Sequence, residues 1–444
     1  MIHLLTCALL AALQLPSGRD ARGFPGHVLV VGGGGAYSDI QPAVDAARDG
    51  DAVLVRTGTY SGFTIPDKSL VVVADAGATV DVQGSVRVDG LAAGHSVLVA
   101  GIVVHGPSSQ PPASGAFTAS HDAGVLRLED CTILGANGVS TTPARAAVVL
   151  DADADVGFVA CTLQGGAGDR DAADPRDGAS GESALSARSS SVAVYDCVFR
   201  GGSGGDGGLG GGQVDAGDGG SGGVACRVED GFVFLGGSEL DGGTGGRGGD
   251  SGPCLSNSYP GGGGAGGACI LVASAATPPN TVLLGNHATA GAGGLGGQDT
   301  SGADCYGDGA RGADGAVVVA PAGAVESFAG ASRRLECPRV ARGNTYVPMS
   351  CTGRPGDMVT ILVSASPAFA YDAQQHGVRL VDAAHTQVLA SGTIPASGVL
   401  ALRVGLPTAG PDARSIQIQA FVRDTANARF IGSAVTLVAL DPAY

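Results

Sequence analysis

Gly201-Gly202-Ser203-Gly204-Gly205-Asp206-Gly207-Gly208, Gly242-Gly243-Thr244-Gly245-Gly246-Arg247-Gly248-Gly249 and Gly291-Ala292-Gly293-Gly294-Leu295-Gly296-Gly297 share one rhythm: two small residues, then a variable one. Each stretch follows the same point of a degenerate strand motif, read as Cys197-Val198-Phe199-Arg200, Gly237-Ser238-Glu239-Leu240 and Asn286-His287-Ala288-Thr289. Similar loops leaving successive copies of one unit are the signature of a solenoid. Around them, short apolar strands recur at 85–88, 96–100, 102–104, 125–128, 147–150, 156–159, 192–195 and 232–235. Continuous Val/Leu/Ile runs of this length suit parallel strands in a stacked sheet. Cys131, Cys161 and Cys197 occupy one phase of the repeat, with Gly237 and Asn286 expected in the next copies, at intervals of 30, 36, 40 and 49 residues. Coil strands keep their length, so the growth belongs to loops leaving one corner.

Each long loop reads as an excursion and a return. One leaves at Gly201, turns near Gln213-Val214-Asp215 and comes back through 217–223; the next leaves at Gly242, turns through 253–260 and returns along 261–267. A flexible linker is the plain alternative, since glycine costs most to order. Against it stands the three-residue period. A threefold extended helix lines two of its faces with bare backbone when the repeat is Gly-Gly-x, so neighbouring arms can approach and bond amide to carbonyl. Polyglycine II-like packing of stacked arms is the expectation.

The opening segment imitates a dinucleotide fold: an apolar strand at 28–31, Gly32-Gly33-Gly34-Gly35, a helix-like stretch at 40–48, then a strand at 52–55. The imitation fails because Tyr37 stands where the third glycine belongs and no acid follows the second strand to hold a ribose. The same residues read better as an amphipathic helix over Ile40-Gln41-Pro42-Ala43-Val44-Asp45-Ala46-Ala47, capped by Ser38 or Asp39, with Pro42 tolerated in the first turn. Gly50-Asp51-Ala52-Val53-Leu54-Val55 and Gly58-Thr59-Tyr60 come next. Here the chain resembles the start of right-handed parallel β-helix proteins of the pectin lyase-like kind. The resemblance implies that the short helix plugs the open end, where core and strand edge would otherwise be exposed. From about residue 338 the glycine pattern stops. Alternating strands at 358–363, 377–381, 399–404, 415–422 and 434–440 then suggest a small antiparallel β-sandwich. It resembles the modules that close many exported bacterial β-helix proteins. The expected fold is all-β: a signal peptide at 1–18, a parallel β-helix at 27–337 with its glycine-rich loops at about 165–315, and the β-sandwich at 338–444.

Composition narrows function. The 444 residues are 44% hydrophobic but only 4% aromatic, without Trp, and carry a net charge of −16 with Lys68 as the sole lysine. That balance argues against nucleic acid. The apolar run from Leu4 to Leu15, followed by Pro16-Ser17-Gly18, has signal-peptide length and no later stretch is long enough to span a bilayer. A secreted or cell-surface protein is expected. Removing the run with Cys7 leaves nine cysteines, so at least one stays free or pairs between chains.

No catalytic constellation emerges. Asp130 and Asp196 share a phase with Ala160 between them, roughly 10 Å apart at two coil spacings, too far to share one calcium. Phe232-Val233-Phe234 has Gly231 and Leu235 where an esterase-type β-helix carries aspartate and glycine, and His105-Gly106 lacks a preceding Asp-Asp pair. Asp206 completes a Gly-Gly-x-Gly-x-Asp start, but Arg247 and Leu295 take its place in neighbouring arms, so it reads as a solvated acid. The group Asp169, Asp171, Asp174 and Asp177, interleaved with Arg170 and Arg176, reads as a solvated loop. The histidines are scattered and no C-x-x-C occurs, so no metal or cofactor is expected. The Cys131/Cys161/Cys197 phase reads as a buried ladder of small thiols. Disulfides are expected first between Cys254 and Cys305 at adjacent loop tips, then between Cys337 and Cys351 across the domain junction, and between Cys226 and Cys269 on return strands of adjacent coils.

These readings favour a noncatalytic exported protein that displays a glycine-rich face for adhesion or surface binding, with an extracellular glycan or a cell surface as partner. The rival is a carbohydrate-binding or carbohydrate-active β-helix with a divergent groove, and ice binding by flat glycine arms is a third idea. The oligomeric state stays open.

Overall fold

A computed structural model of the chain describes residues 26–107, 115–139, 142–153, 155–169, 177–211, 214–252, 258–274, 280–300, 307–330, 333–343, 346–405 and 413–444. The expected signal peptide lies outside these residues. Among the described residues the protein is all-β apart from a seven-residue helix, Ile40–Ala46, and a single 3-10 turn. Two large parallel sheets, of ten and fourteen strands, share the coils, most coils giving one strand to the smaller sheet and two to the larger. Among the described residues no helix is long and apolar enough to cross a membrane.

One coil shows how they are wound. Val148–Asp151 runs in one wing of the larger sheet, Asp155–Val159 in the ten-stranded sheet, and Thr162–Gln164 in the other wing. The glycine loop follows, and Leu185–Arg188 then begins the next coil beside Val148–Asp151. The two wings meet in the ten-residue strand Val80–Asp89, which pairs with both. Inward residues of all three faces, among them Val156, Phe158, Leu163 and Phe199, make one continuous core.

Coil corners need a left-handed residue. Asp130, Ala160 and Asp196 all hold φ at 54°, with Gly101, Gly237 and Gly285 at 73°, 62° and 60° in the same place. Glycine, or aspartate with its short polar side chain, enters this region at least cost. The residue after each corner turns inward as a rung: Cys131, Cys161, Cys197, Ser238 and Asn286. Cys161 N donates to Cys197 Sγ at 3.2 Å, Cys197 N to Ser238 Oγ at 3.1 Å and Ser238 N to Asn286 Oδ1 at 2.8 Å. The phase expected at Gly237 is therefore one residue early. Register pairs Val198 with Glu239, which puts Ser238 beside Cys197 and leaves Gly237 as the corner.

Asp39 caps the helix, its Oδ1 accepting from Ile40 N at 2.8 Å, and Ile40, Ala43 and Val44 are buried against the first coils. Lys68 Nζ donates to the carbonyls of Val44 and Ala47 at the other helix end, at 3.0 Å each.

The C-terminal part begins earlier than residue 338. Leu335–Glu336 pairs with Tyr346–Thr352, which pairs with Val399–Gly405. A five-stranded sheet runs in the order Val340–Arg342, Arg429–Leu440, Arg414–Arg423, Met358–Ser364, Gln387–Thr393. Its first pair is parallel, where only antiparallel strands were expected. Leu335, Val347, Met349 and Cys351 share a core with Val359, Ile361, Ile418 and Leu437. Leu335 belongs to this core, so the boundary falls upstream of it.

Nor does this part close the solenoid end. It lies along the outer face of the ten-stranded sheet, because that face is apolar too. Ala52, Leu54, Val73, Leu98 and Ala100 meet Val340, Ala413, Val438 and Leu440, while Val159, Tyr195, Phe234 and Leu284 meet Val378, Leu380 and Phe430. Burial on both sides explains why all of Arg429–Leu440 after its first residue is buried. In the last coil, Val317, Val318 and Val319 remain 48%, 37% and 44% exposed.

Candidate functional site

The glycine segments leave the corner between the two wings of the larger sheet and form two layers, one of outgoing and one of returning arms. In the outgoing layer the first glycine of each triplet donates to the next outgoing arm: Gly201 to Asp241 O, Gly204 to Thr244 O and Gly207 to Arg247 O, all at 2.8 Å. The second glycine crosses to the returning arm of the preceding loop, Gly205 to Ala179 O and Gly246 to Gly220 O at 2.8 Å. Returning arms repeat the scheme, with Gly219 donating to Gly262 O and Gly220 to Gly205 O, also at 2.8 Å. Two of every three amides are thus bonded to backbone.

Packing makes the glycines obligatory. A Cβ on Gly205 would lie 1.7 Å from Asp169 O, on Gly246 1.8 Å from Gly205 O, and on Gly204 1.9 Å from Gly220 O. Only the third position faces outward and accepts a side chain. Several amides at this position are met by the carboxylate of the preceding arm. Asp206 Oδ1 accepts from Arg247 N at 3.0 Å, Asp250 Oδ1 from Gln298 N at 2.7 Å, Asp177 Oδ1 from Asp218 N at 2.9 Å and Asp218 Oδ1 from Gly262 N at 2.6 Å. Asp206 and Asp177 are therefore arm-to-arm caps, where solvated acids were expected; Asp171 and Asp174 lie outside the described residues. The signal was present, since aspartate recurs at the third position of these triplets.

The last returning arm differs. Arg311 and Asp314 take the places that Gly263 and Gly266 hold one loop earlier, where those glycines donate to Ala310 O and Ala313 O. Asp314 Oδ1 instead accepts from Gly293 N at 2.9 Å, and Asp314 pairs with Arg311 at 2.6 Å. Charged side chains on a final edge block the approach of a further arm.

A second feature is a cleft of about 890 Å³ between the corner row Asp130, Ala160, Asp196 and the three-stranded sheet. Register confirms that Asp130 and Asp196 share a phase, with Glu129, Val159 and Tyr195 preceding the three corners as ladder neighbours. Opposite stand Arg334, Glu336, Arg339, Met349, Ser350 and Arg403. Arg334 pairs with Glu336 at 3.2 Å, and Ser350 Oγ donates to Glu336 Oε2 at 3.1 Å. Arg339 is held by buried Glu129 at 2.6 Å. The wall thus carries both signs of charge over an apolar floor.

The cysteines are distributed as follows. Cys254 and Cys305 lie outside the described residues. Cys226, Cys269, Cys337 and Cys351 are free thiols. Cys226 registers with Ile270, so Cys269 is offset by one residue from the position opposite it. Leu335 faces Cys351, which sets Cys337 on the diagonal, where neighbours stand about 7–8 Å apart, beyond bridging reach. Contact with the Cys161 thiol and burial push the Cys131 thiol well up, and burial does the same for Cys161. Neutral interior thiols are poor nucleophiles and poor metal ligands.

The sequence matches no known protein family and no curated protein. Among solved structures it is similar to the enzymatically active domain of bacteriophage CBA120 tailspike protein 2, at 8% identity and a TM-score of 0.22 over 91% of this chain and 74% of that one. It is also similar to a superoxide reductase (neelaredoxin) from Ignicoccus hospitalis, at 5% identity and a TM-score of 0.16 over 24% of this chain and 80% of that one. Likenesses this remote carry no inference about function.

Proposed function

We propose that the chain is an exported, noncatalytic, right-handed β-helix of the pectin lyase-like kind, secreted or held at a cell surface, that displays its glycine arms as a rigid binding platform. In this reading the arms are a polyglycine II-like body, the helix Ile40–Ala46 is the N-terminal cap, and the C-terminal sheets are a β-sandwich that clamps the solenoid. The observation that carries it is the amide lattice of the arms. Ordering this much glycine is costly, and the return is a flat, stiff body whose outward positions alone vary. The partner class is an extracellular glycan or another surface polymer. Binding of labelled full-length protein to glycan arrays and intact cells tests this, with Gly246→Ala as the variant that disrupts the platform. Binding lost in the variant supports the platform; binding unchanged while the arms are disordered refutes it.

A second reading, a carbohydrate-binding or carbohydrate-active protein, is favoured by one observation: the junction cleft with Asp130 and Asp196 two coils apart. Its test is uronate or reducing-sugar release, together with array binding by an Asp130→Asn/Asp196→Asn variant. Turnover, or binding that this variant loses while Gly246→Ala keeps it, would move the function to the cleft.

A further inference from the structure

The second corner of each coil carries its own ladder. His121, Ala152 and Ser189 hold φ at 58°, 60° and 48°, and the residues after them, Asp122, Asp153 and Ser190, turn inward in successive coils. They are 2%, 1% and 2% exposed. Each receives an amide from the coil before it: Leu91 N donates to Asp122 Oδ1 at 2.6 Å, Asp122 N to Asp153 Oδ1 at 3.3 Å and Asp153 N to Ser190 Oγ at 3.1 Å. Ser190 completes its set by donating to Arg188 O at 2.7 Å. The aspartates do not complete theirs. Oδ2 of Asp122 and Oδ2 of Asp153 are both buried without a hydrogen-bond partner. Two ionised carboxylates one coil apart, about 4.8 Å, each with a dry oxygen, would oppose stacking.

We propose that Asp122 and Asp153 hold a buried proton that the stacked coils require, which makes this corner a pH-sensitive joint in the solenoid. The surroundings do not replace the proton with a cation. Asp89, which accepts from Ser120 Oγ, and Asp67, which pairs with His95, add negative charge near Asp122, against His121 alone; Asp151 adds it near Asp153. Burial, reinforced by Asp122, pushes the Asp153 carboxyl up to about 7, and burial raises Asp122 as well. The folded state therefore keeps a proton that the unfolded chain releases above about pH 4. Stability is fullest below that pH, falls as pH rises toward about 7, and levels off above it.

The test is the unfolding midpoint of the full chain between pH 4 and pH 8, for wild type, Asp153→Asn and Asp155→Asn. Asp155 is a control, another acid that burial raises, outside the ladder. The wild-type midpoint should fall with pH, Asp153→Asn should lose most of that slope, and Asp155→Asn should lose the smaller part of it. Equal slopes in wild type and Asp153→Asn would overturn the proposal. So would added calcium chloride restoring the wild type at neutral pH to its acid midpoint, because the pair would then hold a cation. Should Asp153→Asn not fold, the infrared C=O stretch of a protonated carboxyl in wild type decides. It should persist in the folded protein at pH 6 and vanish on unfolding, and its absence from the folded state refutes the shared proton.

Discussion

At the residue scale, the arms turn on which glycine of the triplet gains a methyl. Gly246 and Gly262 lie in the same loop, yet a Cβ on Gly246 meets Gly205 O at 1.8 Å while one on Gly262 comes no nearer than 3.4 Å to the Asp218 carboxylate and 3.7 Å to Ala310 O. Gly246→Ala should cost about 3 kcal/mol or more, as forced overpacking against backbone does, and Gly262→Ala should stay within about 0.5 kcal/mol. Chemical denaturation of both variants checks this; equal effects would mean the arms are not packed backbone to backbone. Asp218→Ala should cost about 1 kcal/mol by removing the acceptor of Gly262 N, and Asp218→Asn should restore it. The glycine period is open to view in the sequence because sterics favour glycine at two positions of three wherever an arm is packed between others. The aspartate caps are harder to read, since a carboxylate that accepts an amide and one that is merely solvated look alike until the neighbouring arm is in place.

At the element scale, strands and rungs obey different rules. The Val/Leu/Ile strands are legible because burial on both faces favours apolar residues. Rung identity is not, since Cys197, Ser238 and Asn286 share only the ability to meet the adjacent coil's backbone. A corner filled by Gly237 in one coil and Asp196 in another hides the phase, hence the one-residue slip. Short pieces such as Leu335–Glu336 escape notice because two residues show no alternation. The rungs predict a thiol pattern. Cys131, Cys161, Cys197, Cys226, Cys269 and Cys351 are buried and Cys337 half-buried. Of these seven, Cys337 should react first with a thiol reagent in the native protein, and the other six only after unfolding. A disulfide between Cys226 and Cys269, or between Cys337 and Cys351, would contradict the registers.

At the scale of the whole molecule, two bodies are joined side by side and three side chains of the ten-stranded sheet pin them. Glu129 accepts from Thr436 N at 2.8 Å and from its hydroxyl at 2.7 Å while pairing with Arg339. Arg127 donates to Ala368 O, and Tyr195 Oη bonds both N and O of Val378. No pattern in the sequence marks this docking, because the outward face of a doubly buried strand reads like the inward one. Glu129→Ala should cost about 3–5 kcal/mol by leaving Arg339 half-buried and unpaired, visible as an earlier, separate melting of the C-terminal part. A fragment 333–444 should be more stable than 338–444, since Arg333 pairs with buried Asp357 and Leu335 fills the core. Equal melts would place the boundary back at 338.

Amide exchange resolved by residue over 201–223 and 242–267 in the full chain tests the lattice of glycine arms most directly. Gly202, Gly204, Gly205, Gly243, Gly245 and Gly246 should exchange slowly, and Ser203 and Thr244 fast, in a repeat of three. Rapid exchange along the whole of both arms would contradict the account, because it would leave the glycine segments as flexible linkers between coils.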